Sequence, residues 1–137
     1  MIPCGIAIPQ DLLKEPADMA RVREFVVRAD QLAYDSLWMT EEVLGGAPAL
    51  DAISTLAYAA AATQRVRLGV AVLVLARHNP ILLAKSLASL DFMSNGRLNV
   101  GVGLGQEGIE RVLGYSGERR LLRFNESLAV MKALWTH

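Results

Sequence analysis

The sequence lacks most of the features that would place it in a specialised class of proteins. It has one cysteine, Cys4, in 137 residues, so no disulfide can form within the chain. No apolar run approaches the roughly 20 residues that a membrane-spanning helix needs. The first residues also lack the basic start and the cleavage site of a signal peptide. We therefore expect a cytoplasmic protein that has no membrane partner.

An excess of charge of either sign is missing as well. Lysine and arginine together number 14, and so do aspartate and glutamate. Binding to nucleic acid or to an acidic membrane depends on clustered lysine and arginine, so no nucleic-acid partner is expected. Aromatic residues make up only 6% of the chain, but hydrophobic residues make up 53%, which is enough for the core of one folded domain.

What the sequence does contain is a repeating pattern of strands and helices. Strand-like runs begin about 30 residues apart, which is the length of one βα unit with its loops. Asn79 and Pro80 predict the start of the third helix, and Asn95-Gly96 predicts its left-handed stop. The strand-like runs cover residues 5–8, 36–39, 67–74 and 97–103, and the other helical patterns cover residues 18–32, 51–63 and the stripe Phe124, Leu128, Met131 and Trp135.

This pattern predicts an α/β fold with a parallel sheet. The third run is almost continuously apolar, as expected of a parallel strand that is covered on both faces. A closed barrel of this kind needs eight strands and about 250 residues, whereas an open four-stranded sheet exposes its edges. We therefore interpret residues 1–137 as the N-terminal half, four βα units, of a (β/α)8 TIM barrel, either a fragment or a short natural protein.

The glycine-rich run at residues 97–108 has two interpretations. Residues 103–108 satisfy the GxGxxG pattern of a dinucleotide-binding turn between a strand and a helix. That interpretation requires a second strand and an acidic residue about 20 positions later. Glu126 lies at that distance, but it belongs to a helical stripe. The spacing favours a fourth barrel strand, and an NAD-binding Rossmann-type domain remains an alternative.

The ends of the units resemble one family in order. Residues 34–41 resemble the second-strand signature of the luciferase-like monooxygenases, whose members use flavin or deazaflavin. Residues 65–69, 79–80 and 83–85 resemble the third unit of that family, and residues 94–98 with 101–105 resemble the fourth. Glu110, Gly114, Arg123, Glu126 and Leu134-Trp135 continue the similarity, which covers almost the whole chain.

The resemblance implies an oxidoreductase or monooxygenase that acts on a small-molecule substrate. Reduced flavin mononucleotide (FMN) or coenzyme F-420 would bind at the carboxyl ends of the strands. The family holds the cofactor phosphate mostly in the second half of its barrel, so this chain alone is expected to be inactive. A non-enzymatic half-barrel that forms a homo-oligomer is a second hypothesis, because two copies would supply eight strands.

The resemblance also implies particular site residues. Glu41 matches an acidic position near the cofactor, and Glu42 stands where many members have a catalytic histidine. A buried Glu42 could transfer a proton, whereas an exposed Glu42 would be a solvated loop charge. Ala71-Val72 occupies the place where family members often carry a non-prolyl cis peptide against the ring, and the remaining cofactor-binding candidates are Gly103, Leu104 and Gly105.

Three further positions lie next to the ends of the first helix and the third strand. Arg77 and His78 follow the third strand, where they would contact a cofactor tail or substrate, or else lie in a solvated loop. Ala33 ends the first helix at a position that is usually glycine in the family. No set of metal ligands is apparent, and no metal is expected.

Overall fold

The computed structural model describes residues 2–10, 18–44, 48–114 and 119–136, and within them four strands form one parallel sheet. The strands are β1 (Gly5–Ala7), β2 (Ser36–Met39), β3 (Arg67–Val74) and β4 (Leu98–Gly103). Their spatial order, β1-β2-β3-β4, follows the chain. A Rossmann sheet has the order 3-2-1-4, so the NAD-binding alternative is wrong. The arrangement is that of four consecutive units of a (β/α)8 barrel.

Five helices accompany the strands in the described part of the chain. They are α1 (Met19–Gln31), α2 (Ala52–Ala62), α3 (Pro80–Met93), α4 (Glu107–Val112) and α5 (Arg120–Thr136). A 3-10 turn, Leu75–Arg77, lies between β3 and α3. The sequence pattern predicted neither α4 nor this turn, because both are too short to show a helical period.

Local capping explains why the three longer helices between strands begin where they do. The carboxylates of Asp18 and Asp51 accept hydrogen bonds from the first-turn amides of α1 and α2. Asn79 accepts from two amides at the start of α3, and Pro80 occupies its first turn. Asn95 and Gly96 take positive φ values of 57° and 73° after α3, as the sequence predicted.

The two faces of the sheet differ in their side chains. Leu37, Met39, Leu68 and Val70 point to the helices and belong to one apolar core, which also holds Leu56, Leu83, Leu87 and Leu90. The opposite face, which is the interior side of a barrel, carries small residues and Trp38. A Cβ atom added to Gly5 would lie 2.6 Å from Trp38 Nε1, and Gly69 is equally closed by the Trp38 ring. The Trp38 indole therefore covers Gly5 of β1 and Gly69 of β3.

Two polar clusters hold the amino-terminal end of the sheet together. Asp30, next to the end of α1, accepts hydrogen bonds from the amides of Gln64, Arg65 and Val66, at 2.9, 3.2 and 2.7 Å. Burial raises the pKa of Asp30, but these amides and the Arg65 charge lower it by more, so that the pKa lies below its ordinary value.

Arg97 forms the second cluster, between α2, α3 and the start of β4. Its guanidinium donates to the carbonyl oxygens of Ala60, Thr63, Val66 and Ser94, and to the Thr63 hydroxyl. Burial lowers the pKa of Arg97 and the Asp30 charge opposes that change. An arginine remains charged in this situation, so its fork of donors stays available for all these acceptors.

Helix α5 packs against α3 and the 3-10 turn rather than extending into solvent. The Met131 side chain is fully buried there, and Phe124 and Leu128 pack against the same core. Trp135 Nε1 donates a hydrogen bond of 3.1 Å to the carbonyl oxygen of Ala84. The stripe of α5 that the sequence predicted is thus the face that binds the rest of the domain.

Candidate functional site

A pocket opens where β2, β3 and β4 end. Its volume is about 410 Å³, within the range of roughly 300–1,000 Å³ that is usual for small-molecule sites. In parallel barrels this carboxyl end of the strands carries the active site. The pocket is lined by Thr40, Glu41, Glu42, Val43, Leu44, Ala71, Val72, Val74, Arg77, Gly105, Gln106 and Ile109.

Ala71 and Val72 line the pocket where β3 leaves regular pairing. The peptide bond between them is cis, and the pairing of β3 with β4 shifts between Val70 and Leu73. The Val72 side chain is left 41% exposed towards the pocket side of the sheet. This pair of residues presents a small apolar surface, which we call the shelf.

The glycines of β4 let the shelf approach the neighbouring strand. A Cβ atom on Gly103 would lie 2.7 Å from Val72 Cγ2, closer than real Cβ contacts allow. Gly105, with a positive φ of 75°, lines the pocket itself. Gly103 is not among the lining residues and acts through Val72 instead. Leu104, also outside the lining, is 39% exposed between these two glycines.

Glu41 is held by a cluster of polar contacts beside the shelf. Its Oε2 accepts a hydrogen bond of 2.8 Å from the Val74 amide and lies 3.5 Å from Arg77 Nη1. Its Oε1 is hydrogen-bonded to His78 Nε2. The side chains of Glu41 and Arg77 are only 7% and 8% exposed, so the solvated-loop interpretation is wrong for Arg77. His78 is partly exposed and contacts the same carboxylate.

Glu42 lies beside this cluster but in a different environment. Its side chain lines the pocket and is exposed to solvent. The two adjacent carboxylates therefore differ, because that of Glu41 is buried among donors and that of Glu42 is exposed to solvent in the pocket lining. The hypothesis of a buried Glu42 does not match this position.

Arg120, at the start of α5, holds the loop that closes the pocket on the β4 side. Its Nη2 donates to the carbonyl oxygen of Gly105 at 2.7 Å and lies 3.3 Å from that of Leu104. The sequence analysis did not identify this residue, because nothing local marks a helical arginine as a loop anchor. Arg120 and Gly105 are 15 residues apart in the chain, so no local sequence pattern could predict their contact.

Comparison with known proteins identifies the family. The profile described as luciferase-like monooxygenase matches residues 2–137. The chain belongs to this family. Its resemblance to the luciferase-like monooxygenases, predicted from sequence, is confirmed over the whole described structure.

Individual luciferase-like relatives agree in sequence and in fold. The F420-dependent glucose-6-phosphate dehydrogenase of Beutenbergia cavernae is 36% identical over 121 residues, which cover 81% of this chain and 35% of that protein. The monooxygenase RslO1 of Streptomyces bottropensis superposes with a TM-score of 0.83 at 28% identity, over 99% of this chain and 44% of that one. The chain thus spans less than half the length of these relatives.

A second solved structure shows the fold alone, because its identity to this chain is only 20%. It is the oxygenating constituent of 3,6-diketocamphane monooxygenase from Pseudomonas putida, solved in complex with FMN. Its TM-score is 0.82, over 98% of this chain and 40% of that one. What these comparisons show for this chain is its family and its fold.

The structure brings most of the predicted site residues of this luciferase-like chain into one place. Glu41, Glu42, Ala71, Val72 and Gly105 all line the same pocket. Within the described residues, no group of three His, Cys, Asp or Glu side chains could hold a metal ion. Among those residues no helix has both the length and the apolar character needed to cross a membrane.

Proposed function

We propose that the pocket binds the flat ring of FMN or coenzyme F-420, as part of an oxidoreductase that acts on a small-molecule substrate. The observation that carries this proposal is the shelf, an apolar surface at the carboxyl ends of adjacent barrel strands with glycines beside it. One relative is named for its dependence on F420, and one solved neighbour contains FMN. The apolar shelf therefore fits the flat face of such a ring.

The residues of the pocket would have distinct roles towards the ring. Ala71 and Val72 would support one side of it and exclude water from that side. Gly103 lets Val72 take its position, while Leu104 and Gly105 would border the ring. The bound cofactor supplies the hydride-transfer or reduced-flavin chemistry, and the protein supplies its position and surroundings.

We keep Glu42 as the proposed group for proton transfer with the substrate, because it lines the pocket and not because it is buried. Its exposure to solvent leaves it free to meet a substrate bound in the pocket. A carboxylate in such a position can exchange a proton with a bound ligand or with water. In a form of the protein that turns over, Glu42→Gln should lower the rate of the chemical step while binding of the ring is retained. Equal turnover by this variant and the unchanged protein would contradict the role.

Titration of the whole chain with reduced FMN and with F-420 tests ring binding and separates the two cofactors. A glutamate in place of Val72 would put a charge against the ring, so Val72→Glu should weaken binding at least tenfold, or about 1.4 kcal/mol. Val112→Glu is the matched control, because Val112 is 75% exposed on α4 and lies outside the pocket lining. Absence of binding by the unchanged chain at millimolar cofactor would refute the proposal.

We further propose that this chain binds the ring without holding the cofactor phosphate, and that it does not turn over substrate alone. The support is the family resemblance, which assigns the phosphate to the second half of the barrel. Riboflavin has the same ring as FMN but no phosphate. The two should therefore bind with affinities that agree within about threefold, since phosphate contacts would contribute far more. Much tighter binding of FMN would contradict this part of the proposal.

A second candidate function is self-association of the half-barrel into a homo-oligomer. Within the described residues, β1 pairs with β2 alone and β4 pairs with β3 alone, which leaves both edges of the sheet open. Apolar grooves lie beside each edge: one includes Ile6, Phe25 and Leu32, and the other Phe92, Leu98 and Val100. Sedimentation velocity should therefore show a dimer whose fraction rises with concentration. A monomer at every concentration would rule out this candidate.

A further inference from the structure

The Glu41 carboxylate is fully engaged by donors of its own chain. Oε2 faces the Val74 amide and the Arg77 guanidinium, and Oε1 faces the His78 ring. With a side chain 7% exposed, Glu41 lines the pocket while its charged group is directed to these partners. Hydrogen bonds to an ionised group are the stronger kind, so this orientation is well determined.

The three partners all belong to the junction between β3 and α3. Val74 is the last residue of β3, Arg77 is the last residue of the 3-10 turn, and His78 follows it directly. Asn79 then caps α3. One side chain from the end of β2 thus connects that strand to every part of the junction.

The junction is also where the shelf is anchored. Upstream of the shelf, Val70 pairs with Val100 of β4. Downstream, Leu73 and Val74 pair with Val102 and Gly103 of β4, and the amide of Val74 donates to Glu41. The position of Ala71 and Val72 therefore depends on a segment whose last amide is fixed by the Glu41 carboxylate.

Other charged groups near this cluster lie on the far side of His78. Arg123 and Glu126 of α5 line a neighbouring cleft together with His78. Val74, Arg77 and His78, which contact Glu41, belong to the junction and not to α5.

We propose that Glu41 is a positioning residue, which holds the shelf through the β3–α3 junction and does not itself bind the ring with its carboxylate. The effect of Glu41 on ring binding rests on the proposed function, because it requires that the pocket binds a ring. Its effect on the junction is a property of the protein alone. Glu41→Ala should remove all the contacts, whereas Glu41→Gln keeps an acceptor for the Val74 amide and should restore much of the effect.

Hydrogen exchange of single amides tests the role without any ligand. In Glu41→Ala the Val74 amide should exchange at least about tenfold faster, while the amides of the β1–β2 pairing keep their rates. Glu42→Gln, a change of the same kind at the adjacent residue, should leave the Val74 rate unchanged. His78→Gln should also leave Val74 protected, because His78 contacts the other oxygen of the carboxylate. An unchanged Val74 rate in Glu41→Ala would overturn the proposal.

If Glu41→Ala does not fold, Glu41→Gln should still show faster exchange at Val74, because a neutral amide oxygen is a weaker acceptor than a carboxylate, while His78→Gln keeps the unchanged rate. An unchanged Val74 rate in both variants would contradict the proposal. Faster exchange at Val74 in both variants, or in His78→Gln alone, would overturn the assignment of Oε2 as the Val74 anchor.

Titration with FMN and F-420 is the second measurement. Glu41→Ala should weaken ring binding at least threefold and Glu41→Gln by less. Equal loss of affinity in the two variants with normal Val74 exchange would show direct binding by the carboxylate and overturn the proposal. Failure of the unchanged chain to bind either cofactor refutes the proposed function, whereas the exchange result judges Glu41 by itself.

Discussion

At the scale of single residues, Ala33 has a backbone conformation that suits glycine. Its φ is +63°, directly after α1, where the amide of Tyr34 donates to the carbonyl oxygen of Ala29. A left-handed conformation costs a residue with a Cβ atom roughly 1–2 kcal/mol, and glycine avoids this cost. Helix α1 therefore ends with the usual left-handed residue, but that residue is an alanine, for which this conformation is unfavourable.

Replacing Ala33 with glycine should stabilise the domain. We expect Ala33→Gly to raise the free energy of unfolding by about 0.5–1 kcal/mol, because the relief of the left-handed backbone exceeds the added chain entropy. Urea denaturation measures the change. Ala88→Gly, an exposed position in the middle of α3, should have the opposite sign, with a loss of about 1 kcal/mol. Destabilisation by both substitutions would contradict the explanation.

Asp30 makes a second residue-scale prediction, which depends on pH. Asp30→Asn should lower the free energy of unfolding by about 1–2 kcal/mol at pH 7, because three amides lose a charged acceptor. Folding lowers the pKa of Asp30 below 3.8. Its contribution is therefore complete above that value and is lost as the pH falls through the lower pKa of the folded state.

Urea denaturation at pH 7 and at about pH 3 measures this dependence. The gap in stability between Asp30→Asn and the unchanged protein should narrow at the lower pH. Glu24→Gln, an exposed change on α1, is the control for a surface carboxylate that lies outside the cluster. A gap of constant size at the two pH values would show that the charge of Asp30 is not what stabilises the loop before β3.

At the scale of elements, α5 places one fully buried side chain in the core, and Phe124 and Leu128 pack beside it. Met131 is 0% exposed between α3 and the 3-10 turn. Met131→Ala should cost about 2–4 kcal/mol, the usual cost of a cavity left by a long apolar side chain. Lys132→Ala, the exposed neighbour, should change stability by less than about 0.5 kcal/mol. Thermal unfolding of both variants measures this difference, and equal effects would show that α5 is not docked as described.

The starts and stops of the helices were predictable from the sequence only in part. Capping at Asp51 and Asn79 is a local interaction, so these helix starts were predictable from a few neighbouring residues. The same holds for the stop at Asn95-Gly96. Helix α4 and the 3-10 turn were not predictable, because six and three residues are too few to show a period.

The candidate site was predictable in part for a different reason. Parallel strands end at one edge, so residues that follow β2, β3 and β4 had to meet there. The contacts of Glu41 with Arg77 and His78 could not be predicted, because they join residues 36 and 37 positions apart. They depend on side-chain directions at the junction that only the folded chain defines. The close approach of Val72 to Gly103 is also a long-range contact, so it could not be predicted from the sequence.

At the scale of the whole molecule, the open edges make a prediction about assembly. Phe92 is 85% exposed in the apolar groove beside β4, where it could be covered by a second copy. If copies associate through this edge, Phe92→Lys should raise the dissociation constant of the dimer at least tenfold, or about 1.4 kcal/mol. Met93→Lys is the matched control, since Met93 is also exposed but does not line the groove. Sedimentation velocity of the two variants gives the comparison.

The sequential order of the strands has a consequence for how the chain acquires its structure during synthesis. Each strand pairs with the one made immediately before it, and the polar links from Asp30 and Glu41 reach only into the next βα unit. Each parallel pairing closes a loop of about 30 residues and so forms more slowly than a local contact, but it needs only strands that the ribosome has already released. Each unit can therefore pack on its predecessor as it leaves the ribosome. The shelf would be completed only after β4 has emerged, since Gly101 and Gly103 supply the space that Val72 occupies.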